Sequence, residues 1–161
     1  LNLLSDFPMM AIAFDRVSAK EVSRAQSYDF RALYIIFVTL GLVSTIFDFI
    51  YFGLFYRISP QVLQTNWFVA SVITELLLML SIRSMLPIEK AGWPAPIVVI
   101  ISALAFMITL ALPLIPWTAA LFEFTMPTSE HLALIIGLAL LYLITTEIVK
   151  RPIARFLNRS Q

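Results

Sequence analysis

Three groups of polar residues interrupt otherwise apolar sequence, and their spacing limits what they can do. Asn2, Ser5 and Asp6 stand three and four residues apart, which on a helix sets them along one face. They offer an amide oxygen, a hydroxyl and a carboxylate, hard donors suited to Mg²⁺, Ca²⁺, an alkali ion or a proton. Pro8 follows and cannot donate a backbone hydrogen bond, so a carbonyl nearby is freed. The plainer alternative is a helix end capped by polar residues near water. Ser71, Thr74 and Glu75 form a second one-face group. Glu75 is eight residues from both Trp67 and Arg83. It is either a functional carboxylate or a buried one kept for packing. The third group is Gly41, Ser44, Thr45 and Asp48. Its Gly41–Thr45 small-residue pair points to close helix packing.

Other chemistry is missing from the chain. It has no cysteine and one histidine, His131, so thiolate and multi-histidine metal sites are ruled out. It contains no Gly-rich phosphate loop, Gly-x-Ser-x-Gly elbow or His-Glu-x-x-His helix. His131 reads as an interfacial residue. Glu147 reads as the partner of Lys150 or Arg151 in a local ion pair.

The elements that must position these groups are membrane helices. Of 161 residues, 60% are hydrophobic and 13% charged, with a mean hydropathy of +0.91. A soluble domain carries about twice that share of charge. The net charge of +1 gives nucleic acid nothing to grip. Residues 1–14 are too short to span and read as a truncated helix, so the chain reads as a piece of a longer parent. Four apolar runs follow, at 32–56, 67–86, 96–117 and 131–149. Pro113 and Pro116 should bend or end the third of these. Trp67, Trp93 and Trp117 fall at run edges, where indole rings favour headgroups. Ten of the 11 basic residues lie in 15–31, 83–96 and the tail, against Arg57 alone in the loops between the other run ends. The positive-inside rule places those ten, and the C-terminus, in the cytoplasm. The expected fold is all-α: a truncated helix, then four transmembrane helices.

The stretch Asn2-Leu3-Leu4-Ser5-Asp6-Phe7-Pro8, followed by Asp15-Arg16-Val17, resembles the end of the sixth membrane helix of P-type cation-transporting ATPases. Ser44-Thr45-Ile46-Phe47-Asp48-Phe49 is similar to the seventh helix of the magnesium-transporting branch. Gln64-Thr65-Asn66-Trp67-Phe68-Val69, Thr74-Glu75-Leu76 and Ile82-Arg83-Ser84 resemble its eighth. About the first 85 residues carry these motifs; the last two spans match by hydropathy and count. Many relatives have Arg-Pro where this chain reads Arg24-Ala25-Gln26.

The resemblance implies residues 1–161 as the C-terminal membrane domain of a ten-helix parent, covering the end of the sixth helix through the tenth. It implies Asn2, Ser5 and Asp6 as ion ligands, and Glu75 as a further carboxylate like that of calcium pumps. ATP and Mg²⁺ would serve cytosolic domains that this chain lacks, since the phosphorylated Asp-Lys-Thr-Gly-Thr motif is not in it. The expected partners are the lipid bilayer, the transported cation and the N-terminal part of the pump, in the plasma membrane. Two rivals stand beside this reading: a standalone membrane protein that works by interaction, and a small proton-coupled carrier using Asp6 and Glu75.

The orientation is testable with single cysteines in this cysteine-free chain. Ser129→Cys should react with an impermeant thiol reagent in intact cells and Ser23→Cys should not. The reverse pattern would overturn the topology.

Overall fold

Ser59 and Pro60 open the helix around which the others are arranged. The Ser59 hydroxyl accepts from the Val62 N–H at 3.1 Å, and Pro60 takes the first helical position. That is the ordinary chemistry of a helix start. The helix therefore begins seven residues before the apolar run that signalled it, with Gln61, Gln64, Thr65 and Asn66 inside it. Uncharged polar residues do not stop a helix whose hydroxyls bond back to it. The Thr65 hydroxyl donates to the Gln61 carbonyl at 2.8 Å, and that of Thr74 to Ala70 at 3.0 Å.

The computed structural model describes residues 3–15, 30–84 and 92–159. Asn2 and the basic residues Arg16, Lys20, Arg24 and Lys90 lie outside the described residues, as does Arg24-Ala25-Gln26. In chain order the helices are α1 (Leu3–Ala11), α2 (Phe30–Phe55), α3 (Pro60–Ile82), α4 (Pro96–Ala111), α5 (Pro116–Leu121) and α6 (Ser129–Arg159). Among the described residues all regular structure is helical. Helix α1 passes through Pro8 and tightens into a 3₁₀ turn over Ile12–Phe14.

Among the described residues three helices, α2, α3 and α6, are long and apolar enough to cross a bilayer. Of their spanning windows, 61% of α3 is buried but only 28% each of α2 and α6. Helix α3 is thus the central post, touching α1, α2, α4 and α6, while α2 and α6 present broad apolar faces outward. Those faces suit lipid and need no water. Around α3 the core includes Phe47, Tyr51 and Phe55 from α2, Val69 and Val72 from α3, and Ile135 and Tyr142 from α6. The Phe47 and Tyr142 rings meet edge to face at 5.2 Å.

The third apolar run falls short of a full span, and its helix ends where the prolines predict. Helix α4 stops at Ala111, and the residues up to Ile115 form a turn before α5 starts at Pro116. Pro113 has no N–H to continue the ladder, and Pro116 suits a new first turn. Trp67 differs from expectation: it sits two turns inside α3 instead of at a helix edge. Trp93 and Trp117 are 91% and 73% exposed, as anchors at an interface would be.

Charge closes one end of the bundle. Asp15, just past α1, accepts from Arg83 Nη1 at 2.9 Å through one oxygen, and from the Ala95 N–H at 2.6 Å through the other. Arg83 also donates to the Gly92 carbonyl. One carboxylate thereby ties α1 to the end of α3 and the start of α4, where a negative group complements the helix dipole. Beside it, Lys150 Nζ donates to the Ser81 carbonyl at 2.5 Å and to Glu147 Oε1 at 3.2 Å. The Ser81 hydroxyl donates to the same Glu147 oxygen at 2.5 Å. The Glu147–Lys150 pair expected from sequence is present and buried.

The Arg83 and Asp15 side chains are only 4% and 7% exposed, so removing one partner strands a buried charge. Arg83→Met should cost about 3–5 kcal/mol, read as a lowered Tm by circular dichroism in detergent. Adding Asp15→Asn should recover part of that loss. Strictly additive losses would show that the pair does not couple.

Candidate functional site

A cavity of about 830 Å³ lies between α1, α2, α3 and the turns around α5. Its longest wall is one face of α3: Pro60, Leu63, Gln64, Trp67, Phe68, Ser71, Val72 and Glu75 recur at helical spacing. From Pro60 to Glu75 that wall runs about 22 Å at 1.5 Å per residue. Helix α2 adds Ser44 and Asp48, four residues apart, and α1 adds Leu3 and Leu4. Pro8 lacks the N–H that would pair with the Leu4 carbonyl. Phe122 and Phe124 close the far end.

Asp48 and Glu75 both line this cavity, with the hydroxyls of Ser44, Ser71 and Thr74 and the Gln64 amide. Among the described residues no Lys, Arg or His lines it. Trp67 lies close to Asp48, and Tyr142 of α6 lies close to Ser44. The structure thus joins the second and third polar groups of the sequence, which sequence spacing had left apart. The packing expected of Gly41 and Thr45 is not made among the described residues. Both face outward, nothing lies within 4 Å of a Cβ placed on Gly41, and the Thr45 hydroxyl bonds back to the Gly41 carbonyl at 2.9 Å.

The first group divides. Ser5 is buried at 3% exposure, toward the rest of the bundle, whereas Asp6 is exposed. Successive residues point about 100° apart on a helix. Asp6 does not line the cavity that holds Glu75. It shares its exposed surface with Phe7 and Met10, so a carboxylate stands among side chains that belong in hydrocarbon. Among the described residues no cluster of three or more His, Cys, Asp or Glu could hold a metal ion by itself.

Sequence reasoning missed the polar contacts that hold the mouth of the cavity. Gln64 Nε2 donates to the Phe122 carbonyl at 2.9 Å, and the Thr125 N–H donates to Thr65 Oγ1 at 2.9 Å. Asn66 is 1% exposed, with its side-chain nitrogen 3.1 Å from His131 Nδ1. The His131 ring packs edge-on to Phe55 at 5.1 Å. The polar run Gln64-Thr65-Asn66 was the available signal: three such residues early in a membrane helix need partners.

With this geometry in hand, comparison with known proteins is decisive. The sequence profile described as "Cation transporting ATPase, C-terminus" matches residues 1–151. The chain belongs to this family. It is 28% identical over 162 residues to the "Magnesium-transporting ATPase, P-type 1" of Salmonella typhimurium (strain 14028s / SGSC 2262), covering 92% of this chain and 17% of that protein. It is 27% identical over 159 residues to the protein of that name from Escherichia coli (strain K12), with the same coverage. The chain therefore spans about a sixth of the length of these curated relatives. The described bundle is an integral membrane piece of this ATPase family.

The mouth of the cavity depends on one backbone feature. Glu123 has φ 54°, and the Phe124 N–H bonds the Ala119 carbonyl at 2.8 Å, as in a Schellman helix end. This reversal lets Phe122 and Phe124, stacked at 5.5 Å, both reach the cavity. The left-handed conformation costs an ordinary residue about 1–2 kcal/mol. Glu123→Gly should raise Tm slightly and Glu123→Val should lower it, both by thermal melts in detergent. A Val variant as stable as the parent chain would remove this role.

Proposed function

We propose that the chain forms the C-terminal membrane portion of an ATP-driven pump for a hard cation, Mg²⁺ above all, in the plasma membrane. The observation that carries this reading is the exposed carboxylate of Asp6 on an apolar helix in a chain of this family. A charged group at the centre of a membrane helix costs at least about 2.5–3.5 kcal/mol on insertion scales. A face that carries one calls for a protein neighbour or an ion, not lipid. The relatives have five-sixths of their length outside the matched region, enough to supply that neighbour.

In this reading Asp6 is the principal ligand, turned toward the upstream helices. Asn2 stands four residues before it in the sequence, and Ser5 supports the same turn from the packed side. Glu75 is the carboxylate on the opposite side of α1, a neighbouring ligand or proton acceptor. The charge of Asp6 offsets desolvation of a small divalent ion, which an amide oxygen does less well. ATP, and the Mg²⁺ that accompanies it, act on upstream cytosolic domains. Phosphorylation there switches which side of the membrane the ion site faces. The clamp at Asp15 fixes the cytoplasmic end of α1, so Asp6 is held about two and a half turns from a rigid anchor.

The test uses the full-length pump. With expression matched, Asp6→Asn should lower apparent ion affinity at least tenfold, the equivalent of about 1.4 kcal/mol. Asp48→Asn should leave it within about twofold. Ion-dependent ATP hydrolysis across a cation series reads both. Unchanged ion dependence in Asp6→Asn, with a shift in Asp48→Asn, would overturn the assignment.

A further inference from the structure

The cavity has the shape of a helix seat, with one carboxylate that the proposed ion site does not use. Its α3 wall is an unbroken stripe from Pro60 to Glu75, about 22 Å long, or four helical turns. A small ligand needs no such length, whereas a neighbouring membrane helix fits it along most of a roughly 30 Å hydrocarbon core. The cavity as a whole is lined mainly by Leu, Phe, Val and Trp, with Gln64, Ser71, Thr74 and Glu75 as polar points along the α3 wall, a surface on which a helix packs in a groove. Trp67 is 38% exposed in it although seven residues inside α3, so a large ring lacks cover at a depth where α3 is otherwise mostly buried.

Charge says what that helix carries. Asp48 lies on the α2 side of the seat near Trp67, and among the described residues no cationic side chain lines the cavity. A carboxylate at membrane depth is usually paired. We infer that the groove seats a membrane helix from the upstream part of the pump, whose one Lys or Arg side chain pairs with Asp48 beside Trp67. The inference rests on the proposed function, since only a longer pump supplies such a helix. It adds the partner's chemistry and a role for Asp48 in assembly instead of ion binding.

The probe is a synthetic transmembrane helix of about 23 Leu and Ala residues with one central Lys, compared with the same helix carrying Leu or Glu there. The whole chain, labelled through Ser129→Cys, is placed in lipid nanodiscs, and association is read by energy transfer. The Lys helix should bind at least tenfold more tightly than the Leu helix, and the Glu helix most weakly. Asp48→Asn should bring the Lys helix down to the Leu level without changing the Leu helix, and Asp48→Glu should keep the preference. Ser71→Leu, which fills the seat, should weaken all three. Thermal melts identify any variant that fails to fold; for those, competition by unlabelled Lys and Leu helices on the parent chain gives the same comparison. Equal binding of Lys and Leu helices overturns the inference, as does an unaltered Lys preference in folded Asp48→Asn. Binding of dodecylammonium with the same dependence on Asp48, together with a Leu helix that does not bind at all, would show a site for free amphiphilic amines and overturn it too. Failure here leaves the Asp6 measurement untouched, so the two readings fail separately.

Discussion

The carboxylate of Asp15 is the constraint on which the rest of the arrangement depends. Helix α1 is described over Leu3–Ala11. Its position comes from packing on α3 and α4 and from one side chain that binds both. Because Arg83 and the Ala95 N–H use different oxygens of Asp15, the contact fixes direction as well as distance. The outward aim of Asp6 and the inward aim of Ser5 follow from that anchor. The shape of the cavity follows too, since Leu3 and Leu4 form one of its walls.

Helix α3 shows why a membrane bundle can have a centre without a water-driven core. Its neighbours bury most of its length, and the polar groups on it are each given a local answer. Threonine hydroxyls bond back to their own helix, Ser81 meets Glu147, and Gln64 meets a loop carbonyl. Such contacts are worth modest amounts singly. Their effect is to forbid other registers, because a slip of α3 against α6 would separate Ser81 from both Glu147 and Lys150.

Much of this was legible in the sequence. The apolar runs announced α2, α3 and α6, Pro113 and Pro116 marked the end of α4, and Glu147 with Lys150 announced their pair. The residues Asn2-Leu3-Leu4-Ser5-Asp6 carried the family resemblance. What stayed hidden was three-dimensional. Spacing along α1 put Ser5 and Asp6 on one face, but a face is broader than a contact, and the packing against α3 and α4 divides it. Spacing along α2 suggested packing at Gly41, yet Ser44 and Asp48, on a neighbouring stripe, are the residues turned inward. The start of α3 was placed late because hydropathy weighs Gln and Asn as loop residues, whereas Ser59 and Pro60 decide where the helix begins. Asp15 and Arg83 are 68 residues apart, and no local pattern joins them.

The two ends of the bundle are fastened by different materials. At one end buried charges lock Asp15 to Arg83 and Glu147 to Lys150; at the other, around Phe122 and Phe124, aromatic rings and single neutral hydrogen bonds do the fastening. Buried ion pairs tolerate little displacement before a charge is stranded, while stacked rings can slide and still touch. The bundle therefore has a gradient of stiffness along its axis, rigid at its charged foot and compliant at its aromatic mouth. A force delivered to α1 at the foot would pass into the bundle with little loss, and the mouth would be where the resulting strain is spent.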